Sequence, residues 1–337
     1  MIRIVGKRGK GSFESQLDEA AKGKEFVQID CTSGNKDEVM RGVSPFYLGP
    51  VETYDGLQSV TFELSWQCAK VYPWTMGPDG YPDSRYFAWR DSMWAMQGFG
   101  DKMSIRFPAG KNNAGKCKFS WWKVDGKFQR LVYIPARKQI YIPLYARAVV
   151  KTEAYRRLVE LRDSGKNLML IDFDGYNPWH PHYGFTSYND VIHCPLLKMG
   201  HGFVLAMLLD GVIRVEDGEV KYADGLMEPT ARVYSSDLRK LTEEQKLERG
   251  AKAAGVTLEE WTALSPEDRT LLRTAAKKEN VYARGFTKAA WKRLPMVEKF
   301  AVIRGTNCRR WAVGKILKTE GESKVKKEGD RWSTEPG

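Results

Sequence analysis

The chain has no run of about twenty apolar residues anywhere in its 337, so no membrane-spanning helix is expected. Its start, Met1-Ile2-Arg3-Ile4-Val5-Gly6-Lys7-Arg8, passes into glycine and charge where a signal peptide would place an apolar core. A soluble, cytoplasmic protein is the expectation. Cysteine is scarce: Cys31, Cys68, Cys117, Cys194 and Cys308 are odd in number, widely spaced and without a CxxC pair. That excludes a disulfide framework and a zinc knuckle. The four histidines, His180, His182, His193 and His201, crowd between positions 180 and 201, but no HExxH occurs. A His-liganded metal hydrolase would need a further ligand held beside His180 and His182, and none is indicated; no metal or cofactor is expected. The stretch GKNNAGK at Gly110 to Lys116 lacks the GxxxxGK[ST] order and follows no apolar strand, which rules out a Walker site.

What the chain does have is enough apolar content for a substantial core, and a net charge of +12 that is unevenly placed. From Lys277 to Lys318, twelve Lys or Arg stand against Glu279 and Glu298 alone. Such segregation points to one module that meets a polyanion while the remainder does something else. Lys288, Lys292, Arg293, Arg304, Arg309 and Arg310, interleaved with Trp291, Phe300 and Trp311, are the candidate nucleic-acid contacts. The expected organisation is a catalytic domain over 1–234 with a basic insertion at 102–139, a basic helical module over 235–318, and a disordered tail over 319–337.

The stretch SVTFELSWQCAKVY, Ser59 to Tyr72, anchors the functional reading. At 3.6 residues per turn Glu63, Trp66, Gln67 and Lys70 share one helical face, beside an apolar face of Leu64, Cys68 and Val71. A carboxylate, an amide and an ammonium in a row suit a cleft wall, although an ordinary amphipathic helix has the same spacing. Further on, Leu168 to Ile171 reads as a buried strand that delivers Asp172 and Asp174 at its exit, within a DFDGYN turn. Carboxylates in that position are costly to desolvate unless something pairs with them or uses them. Gly200-His201-Gly202 then opens an apolar helix from Phe203 to Leu209, whose free N–H groups could hold a phosphate. Tyr47, in the aromatic loop Ser44 to Val51, and Trp89, in a helix over Ser84 to Gln97, are candidates for stacking on a base, though simple core packing explains the second helix as well.

Other elements follow from local signals. A helix is expected around Glu14 to Lys22, a strand over Glu25 to Cys31, a hairpin turning at Asp125-Gly126, and a Thr152-capped helix from Glu153 to Asp163. Ser265 followed by Pro266 marks a further helix start.

Taken together, the Phe/Tyr loop, Glu63-x-x-x-Gln67-x-x-Lys70, the Asp174-Gly175-Tyr176 exit and the Gly-rich start of the LAMLL helix resemble the NADAR family. The likeness spans roughly residues 44–210. Members of that family cleave N-glycosidic bonds in ADP-ribose-like and ribose-phosphate compounds. The resemblance implies an α+β fold with a mainly helical core and short strands. It also implies a catalytic carboxylate at Glu63 with Lys70 beside it, and Asp174 as a third catalytic residue, although Gly175-Tyr176 stand where the family has Trp-Gly. Trp66, Gln67, Asp172, Gly200, His201 and Gly202, with Tyr47 and Trp89, would bind the substrate. The chemistry fits the residues independently. An oxocarbenium-like state needs a carboxylate near the anomeric carbon and an acid for the departing base. The alternative is a non-catalytic nucleic-acid-binding protein built on a degenerate core of the same kind.

Overall fold

A computed structural model describes residues 1–7, 12–96, 104–230, 232–235, 237, 242–277, 280–281 and 284–303. Contacts divide the chain into two units, 1–9 with 13–240 and 10–12 with 241–337. Among the described residues, no helix is long and apolar enough to cross a membrane.

The first unit is α+β and is centred on a parallel sheet. Strands β1 (Ile2–Gly6) and β2 (Val27–Asp30) flank β8 (Leu168–Asp172), in the order β1-β8-β2. All five residues of β8 are buried, as a central parallel strand covered on both faces requires. The N-terminal stretch, expected only as a basic segment, is therefore an edge strand, with Ile2 opposite Leu168 and Gly6 opposite Asp172. Its charge is met locally: the Arg3 guanidinium donates to both Asp18 oxygens, at 2.5 and 2.9 Å. The helix expected over 14–22 shrinks to a 3-10 turn, Glu14–Gln16. The end of that turn is engaged with β1 instead, Gln16 Oε1 accepting from Gly6 N at 2.6 Å.

Helix α1 (Phe62–Cys68) starts at Thr61, whose hydroxyl accepts from Leu64 N. It is shorter than expected at both ends. Ser59 belongs to β4 (Gln58–Ser59), paired with β3 (Val51–Glu52), and Lys70–Val71 form β5. β5 pairs with β6 (Phe119–Val124), which pairs in turn with β7 (Lys127–Leu131). The hairpin turns at Asp125-Gly126, both at positive φ, as the Asp-Gly signal demands. Because β5 comes from the α1 segment, the region read as a basic insertion is not an appendage; its hairpin completes the sheet that α1 runs into.

Helix α2 (Ser84–Trp94) is capped by Asp83. A further helical run consists of α3 (Tyr133–Ala136), a π-turn (Arg137–Tyr141) and α4 (Ile142–Val149). Pro143 sits where the ladder has already opened, so its missing N–H does little harm. α5 (Glu153–Asp163) carries its expected Thr152 cap. α6 (Tyr188–His193) and α7 (His201–Leu209) precede a hairpin of β9 (Ile213–Glu216) and β10 (Glu219–Tyr222). Every residue of α7 is buried, so it is apolar all round and not amphipathic. Phe62 of α1 meets Tyr141 and Tyr145 edge to face at 5.1 and 5.2 Å, which fixes α1 against the run that carries α4.

The second unit is helical where it is described: α8 (Glu243–Ala254), α9 (Leu258–Thr262), α10 (Pro266–Ala275), α11 (Lys288–Arg293) and α12 (Met296–Ile303). Residues 304–337, including the expected tail, lie outside the described residues. Part of this unit is duplicated. Gly255-x-Thr257-x-x-x-Trp261-x-x-Leu264 recurs as Gly285-x-Thr287-x-x-x-Trp291-x-x-Leu294. In both copies the glycine has positive φ, 72° and 78°, and the threonine hydroxyl caps the helix that follows. Both tryptophans are buried. Even the cation at the helix end is repeated. Arg269 donates to the carbonyls of Trp261 and Thr262 at 2.8 and 2.7 Å. Lys299, at the matching place in copy two, donates to those of Leu294 and Lys292 at 2.6 and 3.4 Å. It also reaches Gly255 O at 2.8 Å.

Lys299 is thus a structural cation, 1% exposed. Replacing it with Met keeps the stem and removes the donor, which should cost the second unit about 1–3 kcal/mol, the usual range for stranding buried acceptors. Hydrogen exchange of amides within 242–303 measures this in the full chain. Unaltered protection would show that these carbonyls do not depend on Lys299.

Candidate functional site

A cavity of about 810 Å³ opens in the first unit. Its walls are the polar side of α1, the exit of β8, the loop 195–200 leading into α7, the segment 106–120 and the π-turn. Of the expected site residues, Glu63, Trp66, Gln67, Lys70, Asp172, Asp174, Gly200 and His201 line it. The two acids from sequence-distant elements, Glu63 and Asp174, therefore face one hollow.

Glu63 is 8% exposed. Gln67, one turn on, donates Nε2 to Glu63 Oε1 at 2.9 Å, and Lys70 Nζ donates to Gln67 Oε1 at 2.6 Å. Lys70 lies beyond the helix end, in β5, so the three groups meet through a chain of hydrogen bonds and not as a continuous helical row. Burial pushes the Glu63 carboxyl up, against the opposing pull of Gln67, Lys70, Arg106 and His201. Burial pulls the Lys70 ammonium down, partly offset by Glu63. Lys70 Nζ also lies 5.1 Å from the centre of the Trp66 ring, which meets Tyr141 edge to face at 5.0 Å.

Asp172 and Asp174 differ in role. Asp172 is 3% exposed and turns to the start of α7. It accepts from Gly202 N at 2.9 Å, and its Oδ2 lies 3.3 Å from His201 Nδ1. His201 donates Nε2 to Cys31 O at 2.8 Å. The helix start was expected to hold a phosphate on its free N–H groups; its Gly202 N–H is instead taken by the protein's own carboxylate. Gly202 does not line the cavity. Gly200 is required by the same approach, since a Cβ there would lie 2.2 Å from Asp172 Oδ2. Asp174, half-buried in the turn after β8, pairs with Lys198 at 3.4 Å.

Two expected stacking residues lie elsewhere. Tyr47 rests against the Arg41 guanidinium, 5.4 Å from its ring centre, while its neighbours Pro45 and Phe46 face the cavity. Trp89 packs between Tyr72 and Tyr86, so core packing explains it. Sequence reasoning missed Arg106, Phe107, Arg137, Tyr141 and Phe173, all of which line the cavity. Arg137 and Tyr141 stand four residues apart in one helical run, a spacing that Pro143 just after them hides in the sequence. Arg106 had no periodic signal, lying in a loop. Arg137 also secures the wall, donating to the carbonyls of Val191, Ile192 and Cys194 at 2.9, 2.8 and 3.1 Å and to that of Leu197 at 3.0 Å.

Among the described residues, no three His, Cys, Asp or Glu converge as a metal site. Of the candidate nucleic-acid contacts, Lys288, Lys292 and Arg293 are exposed on α11, and Arg304, Arg309 and Arg310 lie outside the described residues. The chain matches no protein-family model, no curated protein and no solved structure.

This geometry has two consequences for stability. Gly200→Ala should lower stability by about 1–3 kcal/mol, the cost of overpacking, read by chemical denaturation; an unshifted midpoint would show that Asp172 moves aside freely. Glu63 titrates with the opposite sign to a salt-bridged acid. Between the ordinary carboxylate range and its raised folded value, the folded chain holds a proton that the unfolded chain has lost. Stability therefore falls as pH rises through that window, and the loss persists above it. Glu63→Gln should raise the melting temperature at pH 8 more than at pH 5. Equal shifts at both values would contradict the raised carboxyl.

Proposed function

We propose that the first unit is an N-glycosidase that hydrolyses the bond between a ribose and a nucleobase in an ADP-ribosylated or ribosylated compound, as the resemblance to the NADAR family implies. The observation that carries this reading is the buried Glu63 carboxylate, oriented by Gln67 at the wall of a cavity of about 810 Å³. That volume falls within the range of small-molecule sites. Cations at Lys70, Arg106 and Lys198 on the same walls suit a phosphorylated ligand. The basic segment of the second unit contacts nucleic acid.

In this mechanism the C1′–N bond breaks with its electron pair leaving on the base, and positive charge builds on C1′ and the ring oxygen. Ionised Glu63 stabilises that charge and takes a proton from the attacking water. A carboxyl that burial makes less acidic is suited to receiving it. The base needs a proton as it leaves. Lys70, whose ammonium burial makes more acidic, is better matched to that step than Asp174, whose carboxylate is paired with Lys198. Asp172 and His201 hold the wall and stay out of the proton transfers. Trp66, Tyr141 and Phe173 supply faces and edges for the base.

Mass spectrometry of ADP-ribosylated DNA, ADP-ribosylated RNA and free ribosylated nucleotides, incubated with the protein, should detect released base or ADP-ribose. Glu63→Gln should slow release by about 10²–10⁴-fold. The wild-type rate should climb with pH as Glu63 ionises and decline as Lys70 loses its proton. Full turnover by the Glu63→Gln protein would remove Glu63 from the mechanism, and no release from any of these compounds would remove the glycosidase reading.

A further inference from the structure

The duplication within the second unit sets two different sets of surface residues on one local scaffold. At the exposed positions of α9 and its C-cap, copy one carries Leu258, Glu259, Thr262 and Ala263; the matching positions of α11 carry Lys288, Ala289, Lys292 and Arg293, also exposed. Glu260 gives way to Ala290 as well. On one scaffold, the exchange removes two carboxylates and adds three cations. Copy one caps its helix with threonine and buries its tryptophan without any cation at those places, so the fold does not require them. The fourth cation of copy two, Lys299, is turned inward onto carbonyls and is not on display.

Lys288 and Lys292 are one helical turn apart and share a face, with Arg293 beside it. After Glu298 no acid occurs until Glu320, while Arg304, Arg309, Arg310, Lys315 and Lys318 extend the positive charge along the chain. A second copy of this protein offering Glu259 and Glu260 could match only part of that charge. A polyphosphate backbone matches all of it.

We propose that the α11 surface bearing Lys288, Lys292 and Arg293 is the nucleic-acid contact of the second unit, gripping the phosphate backbone without reading bases, and that the α9 surface takes no part. This rests on the reading that the basic segment meets nucleic acid, and it says where.

The test uses the full chain with fluorescein-labelled single-stranded DNA, duplex DNA and RNA of equal length, with anisotropy followed from 50 to 200 mM salt. The variant Lys288→Leu/Lys292→Thr/Arg293→Ala gives copy two the residues that copy one already accommodates in the same fold. Lys246→Ala/Arg249→Ala/Lys252→Ala removes the same net charge from exposed positions of α8. Wild-type protein should bind with a steep salt dependence. The α11 variant should bind more weakly, with a log–log slope shallower by about 2–3, near one unit for each phosphate no longer neutralised. The α8 variant should keep most of the slope. If wild-type protein binds none of the probes, the underlying reading fails and takes this proposal with it. If it binds and the α11 variant matches it, or the α8 variant loses as much, the α11 assignment alone is overturned. Salt-sensitive self-association in sedimentation, without affinity for any probe, would identify a second copy as the partner and also overturn it.

Discussion

A carboxylate can enter a protein interior only where its charge is met, and the first unit is arranged around one that does. Asp172 ends the central strand nearly out of solvent. It is met by the Gly202 N–H at the start of α7, where the helix dipole also favours negative charge. That close approach depends on residue 200 having no Cβ to hold the chain away. Once β8 and α7 are joined there, the geometry of the hollow follows. Asp174 is placed two residues beyond the strand, the loop 195–200 becomes a wall, and Arg137 holds that wall by its carbonyls. A site with one well-compensated acid at its base has a rigid floor against which another group can act.

Glu63 is the counterpart, and its environment is the reverse. Among the described residues no cation bonds it directly; an amide does, and the lysine lies one step further along. Burial therefore outweighs the favourable contacts and the carboxyl stays weakly acidic. In a core this would be a defect, since replacing the acid by its neutral isostere relieves it. Beside a cavity of ligand size it is the arrangement expected of a group that must exchange a proton. The two buried acids that line the cavity, one bonded by a backbone N–H and the other raised by burial, divide naturally into a structural and a reactive role.

The sequence discloses what is decided within a few residues and hides what is decided at a distance. Thr152, Ser265-Pro266 and Asp125-Gly126 announced their helices and hairpin because caps and turns are local devices. The Glu63–Gln67 pair was legible for the same reason, at one turn of separation. β1 and β5 were not. Each is defined by a partner strand far along the chain, Leu168–Asp172 for one and Phe119–Ser120 for the other. Arg106 comes to the cavity on a loop with no periodic signal. Tyr141 was concealed by Pro143, which reads as a helix breaker unless the π-turn before it is known. Tyr47 and Trp89 mislead in the other direction: an aromatic suited to stacking on a base is equally suited to stacking on an arginine or two tyrosines.

Charge shows the same distinction in the second unit. Counted along the chain, every Lys and Arg of the basic segment is equivalent, and the duplicated scaffold shows that they are not. Arg269 and Lys299 occupy one structural place, closing a helix end by donating to its carbonyls. An ammonium fills it in one copy and a guanidinium in the other because the place asks for donors and not for a particular shape. On the exposed surface the copies diverge instead, Lys288, Lys292 and Arg293 standing where copy one has Leu258, Thr262 and Ala263, and Ala289 standing where it has Glu259. Where a repeated fold holds its interior groups constant and lets its surface change sign, the surface difference is the part that folding does not explain, and a partner of opposite charge is the simplest cause for it.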